Sequence, residues 1–295
     1  MTAPTALALA DELGPRGRRR VRIATIISSV VLAGLAVVAV RRLQGRGQLD
    51  WALWEPFTQW SVMKFLLGGL ANTVRAAAAA MVLALPLGSA LALLRLSRTA
   101  PLRWLSAGFV EFFRGLPLIL LVLFSFSGLR RYGIDITPFR ALVLALAVYN
   151  GAVLGEVFRA GIRSLDRGQT EAAYAIGLSY WQAMGRVVIP QAVRRMVPAI
   201  VSQLVTLLKD SSLGFVITYE ELLRRSRING EYFHNFLQST VVVAVMYILV
   251  NLALSRLARR LELRQRRRLG AGPIVVTGAE DLNAAAVVAT GALER

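Results

Sequence analysis

The chain contains two lysines, Lys64 and Lys209, and the second stands in unusual company. Lys209-Asp210-Ser211-Ser212 follows directly on the apolar run Met196–Leu208. A cation, an anion and two hydroxyls at the edge of an apolar segment can hold a polar solute. They can equally pair with one another and fix a break in a helix. Two more pairs have the i, i+3 spacing of helical neighbours, Glu156 with Arg159 and Glu111 with Arg114. Each can form a local salt bridge or line a pathway or gate. Lys64 follows Met63 and Lys209 follows Leu208, so neither completes the Gly-Lys-Ser/Thr of a phosphate-binding loop. With no cysteine and a single histidine, His234, thiolate metal sites are excluded and no nucleophile–base arrangement or metal cluster is visible. The chemistry on offer is binding and gating, with no catalytic residues and no cofactor held by this chain.

The elements that position these residues are apolar. Hydrophobic residues make up 56% of the 295, above the 45–50% usual in soluble domains. They fall into runs near the ~20 residues that a bilayer core demands. Ile23–Val40 is the first, preceded by the basic segment 1–22 and followed by Arg41-Arg42 with no small-residue cleavage site, so it reads as a retained helix and not a signal peptide. Phe65–Leu94 is too long for one upright crossing. Arg75 divides it, so that Ala76–Leu94 spans and the part before Arg75 lies along the outer interface. Phe109–Leu129, bent at Gly115 and Pro117, and Phe139–Ile162 follow. Met196–Leu208 is short: 13 residues of helix cover about 20 Å of a ~30 Å hydrocarbon core. Lys209 and Asp210 then fall at membrane depth, where charges pair or face a watery cavity. Leu237–Leu257 is the last. The expected fold is an all-α integral membrane protein of about six transmembrane helices with a broken fifth helix.

The formal charge is +18, from 35 basic and 17 acidic residues. The basic residues flank apolar runs instead of building one folded face, so the partner is membrane lipid and not nucleic acid. Six crossings from a cytoplasmic N-terminus place both termini inside, with loops 95–103 and 163–195 and the basic segment from Arg259. Arg41, Arg42, Arg46, Arg224, Arg225 and Arg227 fall outside against the positive-inside tendency. Residues 259–295 read as a basic segment and a disordered tail.

One cytoplasmic loop carries a specific pattern. Residues 169–190 contain Glu171-Ala172-Ala173, three residues, Gly177, nine residues, then Val187-Val188-Ile189-Pro190. Acidic residues suit the start of a short helix, the alanine pair allows close approach, Gly177 permits a sharp turn, and Pro190 would stop a second short element. This pattern resembles the EAA loop of importer-type ABC transporter permeases. Val110-Glu111-Phe-Phe-Arg114-Gly115-Leu-Pro117, Tyr149 through Glu156-Val-Phe-Arg159-Ala160-Gly161, and Leu207-Leu208-Lys209-Asp210-Ser211-Ser212-Leu213 are similar to segments of the polar amino acid uptake permeases, with Ala160 in place of a usual glycine.

The resemblance covers about residues 65–258, leaving residues 23–40 as an accessory helix. It implies a type I ABC importer permease core in a bacterial cytoplasmic membrane. A coupling helix at Glu171, Ala172, Ala173, Gly177 and Pro190 would seat on a cytoplasmic ABC ATPase dimer that binds the ATP and Mg. A second permease, identical or paralogous, and an extracytoplasmic solute-binding protein would complete the machine. The length and ends of the chain resemble actinobacterial glutamate permeases, which favours glutamate; basic amino acids and glutamine stay open. A self-contained secondary transporter or channel accounts for intramembrane charges equally well, but would carry inverted repeats and no docking loop.

Overall fold

The computed structural model describes residues 14–97 and 99–268. Residues 1–13, Arg98 and the expected tail from residue 269 lie outside the described residues, as do the side chains of Arg167, Arg264, Arg266, Arg267 and Arg268.

Every regular element among the described residues is helical. The chain runs through α1 (Pro15–Gly45), α2 (Trp60–Leu96), α3 (Ala100–Gly115), α4 (Leu118–Leu123), α5 (Leu129–Arg131) and α6 (Pro138–Arg163). It continues through α7 (Arg167–Ala175), α8 (Tyr180–Ala183), α9 (Ile189–Asp210), α10 (Leu222–Phe233) and α11 (Phe236–Arg268). π-Helical stretches at Phe124–Gly128 and Met184–Val188 join α4 to α5 and α8 to α9. Five helical stretches are long and apolar enough to cross a membrane, and the pair α3 with α4–α5, bent by 99°, makes a sixth. The expected bend at Gly115 and Pro117 is thus close to a right angle: α3 ends at Gly115 and α4 starts after Pro117.

The core is the seam between α2 and α6, which run parallel. Ala76, Ala80, Ala84, Gly88 and Ala92 recur every fourth residue on α2 and form a buried ridge of small side chains. Facing them, Gly151 and Gly155 of α6 let the backbones close. A Cβ on Gly88 would lie 3.0 Å from the Gly151 carbonyl oxygen and 3.1 Å from the Gly155 nitrogen. Small-residue seams of this kind suit a bilayer, where packing and not water exclusion draws helices together. The α9 helix runs antiparallel to α6. Gln203 Nε2 donates to Asn150 Oδ1 at 2.6 Å, which satisfies two polar groups in the helix interface.

Three expectations are corrected here. The long second run is not divided at Arg75: α2 is continuous over 37 residues, about 55 Å. Arg75 is accommodated by stacking over the Phe139 ring, 5.1 Å from its centroid. The fifth span is not short. α9 has 22 residues and starts at Ile189, because Arg195 lies within the helix and donates to the Ser164 carbonyl at 3.0 Å. Pro190 accordingly stops nothing; it occupies the first turn of α9, where a missing N–H is harmless. The break after α9 is real but subtler, a change to 3₁₀ geometry over Ser211–Ile217 that ends with Thr218 in the left-handed region.

Two of the arginines expected outside, Arg225 and Arg227, are occupied by the fold. Arg225 donates to the Phe65 carbonyl at 2.7 Å, pairs with Glu220 at 3.2 Å and covers the Phe65 ring. Arg227 pairs with Glu231 at 2.8 Å. α1 differs from every other span: none of its apolar window is buried, against 67% for α6. The basic segment after Arg259 continues α11 as helix up to Arg268.

Candidate functional site

The loop with the alanine pair folds into α7, a turn, and α8. Asp166 caps α7 by accepting from the Gly168 N–H at 2.9 Å. Gly177 follows with φ +83 and nothing within 4 Å of a would-be Cβ, so the glycine is there for its backbone. Ser179 and Gln182 then form a capping box that starts α8. A Gln191 to Gln169 side-chain hydrogen bond of 3.1 Å ties α7 to the first turn of α9. The motif residues do not all face one way. Glu171, Ala172 and Gly177 are exposed, whereas Ala173 is only 3% exposed and packs onto its own chain. The outward surface is made by residues the sequence pattern did not single out: Tyr174, Ile176 and Trp181, at 42%, 78% and 74% exposure. Under α7 lies a cleft of about 680 Å³ lined by Arg163, Glu171, Tyr174, Tyr180 and Met184 among others. An exposed apolar surface on a short element tied to α9 is suited to receiving a partner.

At the same end of the bundle the expected Glu156–Arg159 pair forms, with Arg159 Nη2 to Glu156 Oε2 at 2.7 Å. It is part of a larger arrangement. Arg95, from the last turn of α2, reaches Glu156 Oε1 at 3.1 Å and Glu111 at 3.9 Å. The expected Glu111–Arg114 bridge is absent among the described residues: Glu111 turns to Arg95, and Arg114 stands at the end of α3 where the chain bends. Arg95 was placed in a loop by sequence reasoning; only the tertiary fold brings it between two carboxylates. The chemistry is a charged junction of α2, α3 and α6 beside the bend after Gly115. Glu111 is largely exposed, so its contact with Arg95 contributes little.

Farther along α9, the run at Lys209 separates by role. Lys209 and Ser212 line a cavity of about 590 Å³ between α9 and α11, with Tyr247 and Asn251 on the opposite wall. The Oδ1 of Asn251 is buried without a hydrogen-bond partner. Ser211 is fully buried instead, donating to the Leu208 carbonyl at 2.8 Å. Asp210 is half-buried and lies outside that lining. No ion pair joins Lys209 and Asp210 among the described residues, since successive positions on a helix do not face each other.

Behind this run sits a polar cluster that the hydropathy pattern did not reveal. Glu221 caps α10, accepting from the Leu223 and Arg224 N–H groups at 2.8 and 2.6 Å and from the Tyr247 hydroxyl at 2.8 Å. Burial pushes the Glu221 carboxyl above its ordinary range, and the three donors partly offset this. Thr73 of α2 accepts from the Leu222 N–H at 3.1 Å. The cluster fastens α2, α10 and α11 together at the end opposite α7. A Glu following a 3₁₀ break, at the start of a helix, was the available signal.

Residues 84–267 match the family model described as the inner membrane component of binding-protein-dependent transport systems. The chain is 40% identical over 236 residues to the glutamate transport system permease protein GluD of Corynebacterium glutamicum, covering 78% of this chain and 84% of that protein. It is 41% identical over 209 residues to the probable glutamine ABC transporter permease protein GlnP of Bacillus subtilis, covering 69% and 94%. Among solved structures, an amino acid ABC transporter crystallised with histidines superposes with a TM-score of 0.67 at 30% identity, covering 70% of this chain and 97% of that one.

Proposed function

The chain belongs to the binding-protein-dependent transport system inner membrane components, as a permease subunit of an amino-acid ABC importer, and from that premise we propose that it carries glutamate into the cell. The preference for glutamate is supported by the 40% identity to a glutamate transport permease. In this reading α7 and α8 seat in a cleft of a cytoplasmic ATPase dimer, which alone binds and hydrolyses Mg-ATP. A second permease, identical or paralogous, stands beside this one, and a solute-binding protein delivers the amino acid to the opposite face. Both termini are cytoplasmic, and α1 is accessory.

The observation that supports the reading is the pair of bonds that link α7 to α9 and α9 to the end of α6. The docking surface of α7 is bound to α9 through Gln169–Gln191, and Arg195 of α9 holds the end of α6 through the Ser164 carbonyl. A push on α7 therefore reaches both helices whose far ends border the polar run at Lys209 and the outer cluster at Glu221. Closure of the ATPases would rock these helices, a rigid-body change of the hinge and shear type, and switch access from one face to the other. Lys209 and Ser212, with the Arg95–Glu156–Arg159 junction, line the path or its gate.

The test is uptake into proteoliposomes by the co-purified complex, with radiolabelled glutamate and competing glutamine and arginine. Uptake that requires ATP and the ATPase, and is competed best by glutamate, is expected. Uptake by the permease alone, driven by an ion gradient, would replace this reading with a secondary transporter.

A further inference from the structure

The cavity of about 590 Å³ between α9 and α11 holds two polar groups that the fold leaves unmatched. Lys209 and Ser212 stand on one wall and Asn251 on the other. Lys209 is exposed, and no ion pair engages it among the described residues. Asn251 is fixed in orientation, because its Nδ2 donates to the Tyr247 carbonyl at 2.7 Å. Turning the amide over would set its oxygen against that carbonyl oxygen. The unsatisfied atom is therefore Oδ1, a buried acceptor with no partner. The nearby acids are withdrawn from the cavity. Asp210 lies outside its lining. Glu221 already accepts from two backbone N–H groups and from the Tyr247 hydroxyl. No carboxylate lines the cavity among the described residues.

A free cation and a free acceptor select complementary groups. The lysine ammonium carries three donors on a flexible stem and meets a carboxylate as a point charge. The Asn251 oxygen lacks a donor, and a buried acceptor left alone is costly. A donor entering the cavity recovers that cost, and a charged donor recovers most. A simple anion would satisfy Lys209 and leave Asn251 as it is. A simple cation would satisfy Asn251 and be repelled by Lys209. A carboxylate and an ammonium on one carbon satisfy both, and they define a free α-amino acid. The other walls are mostly apolar, with Val243, Ala244 and Ile248 among them. A cationic side chain finds no counter-charge there.

We propose that this cavity binds the zwitterionic end of a free α-amino acid, with its carboxylate on Lys209 and its ammonium on Asn251 Oδ1. Asn251 is thereby a specificity-determining residue, which selects for the amino group. The site takes amino acids with acidic or neutral side chains and disfavours cationic ones. The assignment rests on the reading given under Proposed function, in which Lys209 lines the path of the amino acid.

The test uses the full chain co-purified with its ATPase, without nucleotide or solute-binding protein. Binding of radiolabelled L-glutamate is measured at equilibrium against unlabelled competitors. Glutarate is glutamate without the ammonium, and 4-aminobutyrate is glutamate without the α-carboxylate. Each should compete about tenfold more weakly than glutamate, as the loss of one charged hydrogen bond requires. L-Glutamine should compete nearly as well as glutamate, and L-arginine about tenfold more weakly than glutamine. Asn251→Leu should lower the affinity for glutamate about tenfold and leave glutarate unchanged. Lys209→Met should weaken both, because both bring a carboxylate. Glutarate that equals glutamate on the parent complex overturns the proposal, with no variant needed. So does an Asn251→Leu variant that keeps the parent preference for glutamate or loses both ligands together. Arginine that matches glutamine overturns the bias against cationic side chains. ATP-dependent glutamate uptake by the complete importer, with no glutamate bound by the permease–ATPase complex, overturns the cavity assignment alone. Absence of that uptake overturns the reading on which it rests.

Discussion

Arg95 meets Glu156 at 3.1 Å across the seam of α2 and α6, and the same carboxylate accepts from Arg159 at 2.7 Å. One acidic side chain thus holds two guanidinium groups, one from its own helix and one from the neighbour. Both Arg95 and Glu156 are about four-fifths buried in their side chains. Removing either partner leaves an under-compensated charge in a poorly hydrated junction. Arg95→Gln and Glu156→Gln should be non-additive, with an interaction energy of about 0.5–3 kcal/mol. Thermal unfolding of the two single variants and the double variant measures it; additive effects would mean that the bridge contributes nothing.

The α2–α6 seam should tolerate no extra volume. A side chain at Gly88 meets backbone atoms of Gly151 and Gly155, which cannot rotate away as a side-chain tip can. Gly88→Val should destabilise the protein by about 1–3 kcal/mol, read as a lower melting temperature in detergent. Gly108→Val is the control, because nothing lies within 4 Å of its Cβ position. Equal losses at the two sites would reject the close crossing.

The two alanines of the loop should behave differently. Ala172→Trp places bulk on the exposed side of α7, so it should reduce co-purification of the ATPase while melting behaviour stays near that of the parent. Ala173→Trp overfills a buried position and should lower the melting temperature itself, by the loss of about 1–3 kcal/mol expected of overpacking. A pull-down and a melt on each variant separate the two. Identical behaviour would contradict the orientation of α7.

Gly177→Val should act through the backbone. The left-handed conformation costs a residue with a Cβ about 1–2 kcal/mol, and open space around Gly177 offers no compensating contact. ATP-dependent uptake should fall with normal membrane insertion. Gly177→Asn, which tolerates this region better, should recover much of it. Failure of Asn to outperform Val would show that side-chain size and not φ governs the site.

Glu221 should make stability depend on pH. Its folded pKa is raised by burial above the ordinary value of 4.5. A raised acid contributes stability that is fully present below the unfolded value and is lost as pH rises through the folded one. Wild type should therefore lose stability as pH climbs from about 4.5. Glu221→Gln should flatten that slope while keeping an acceptor for the α10 N–H groups. An unchanged slope in the variant would assign the pH dependence elsewhere.

What could be read in advance, and what could not, divides along physical lines. The turn at Gly177 and the bend at Gly115 and Pro117 are local properties, and both appear where expected. The span Phe139–Ile162 matches α6 because no charge falls between Arg140 and Glu156. Several of the misreadings concern arginines. Arg75 looked like a boundary, yet Phe139 receives it. Arg194 and Arg195 looked like a membrane edge, yet Arg195 finds the Ser164 carbonyl. Arg95 looked like a loop charge, yet it joins two helices to a third. In each case the partner lies far along the chain, and hydropathy records only the charge. The inward face of Ala173 was hidden for another reason: nine residues of helix carry too little pattern to reveal which side packs.

The π-helical stretches at Phe124–Gly128 and Met184–Val188 act as phase shifters. Each turn there holds more residues than an α-helical turn, so everything downstream is rotated relative to a regular helix by roughly the 100° that one residue represents. The azimuth of α9 with respect to α8 is thereby encoded in a single surplus residue. A one-residue deletion such as loss of Gly185 would relax the stretch to ordinary α-helix without shortening the buried part of α9. Asn150's partner Gln203, and with it Lys209, would keep their bearing, whereas regular α-helix of unchanged length would swing both by about 100°. In a helix that faces other helices on one side and a cavity on the other, the reading frame of the structure is an angle, and these five-residue stretches set it.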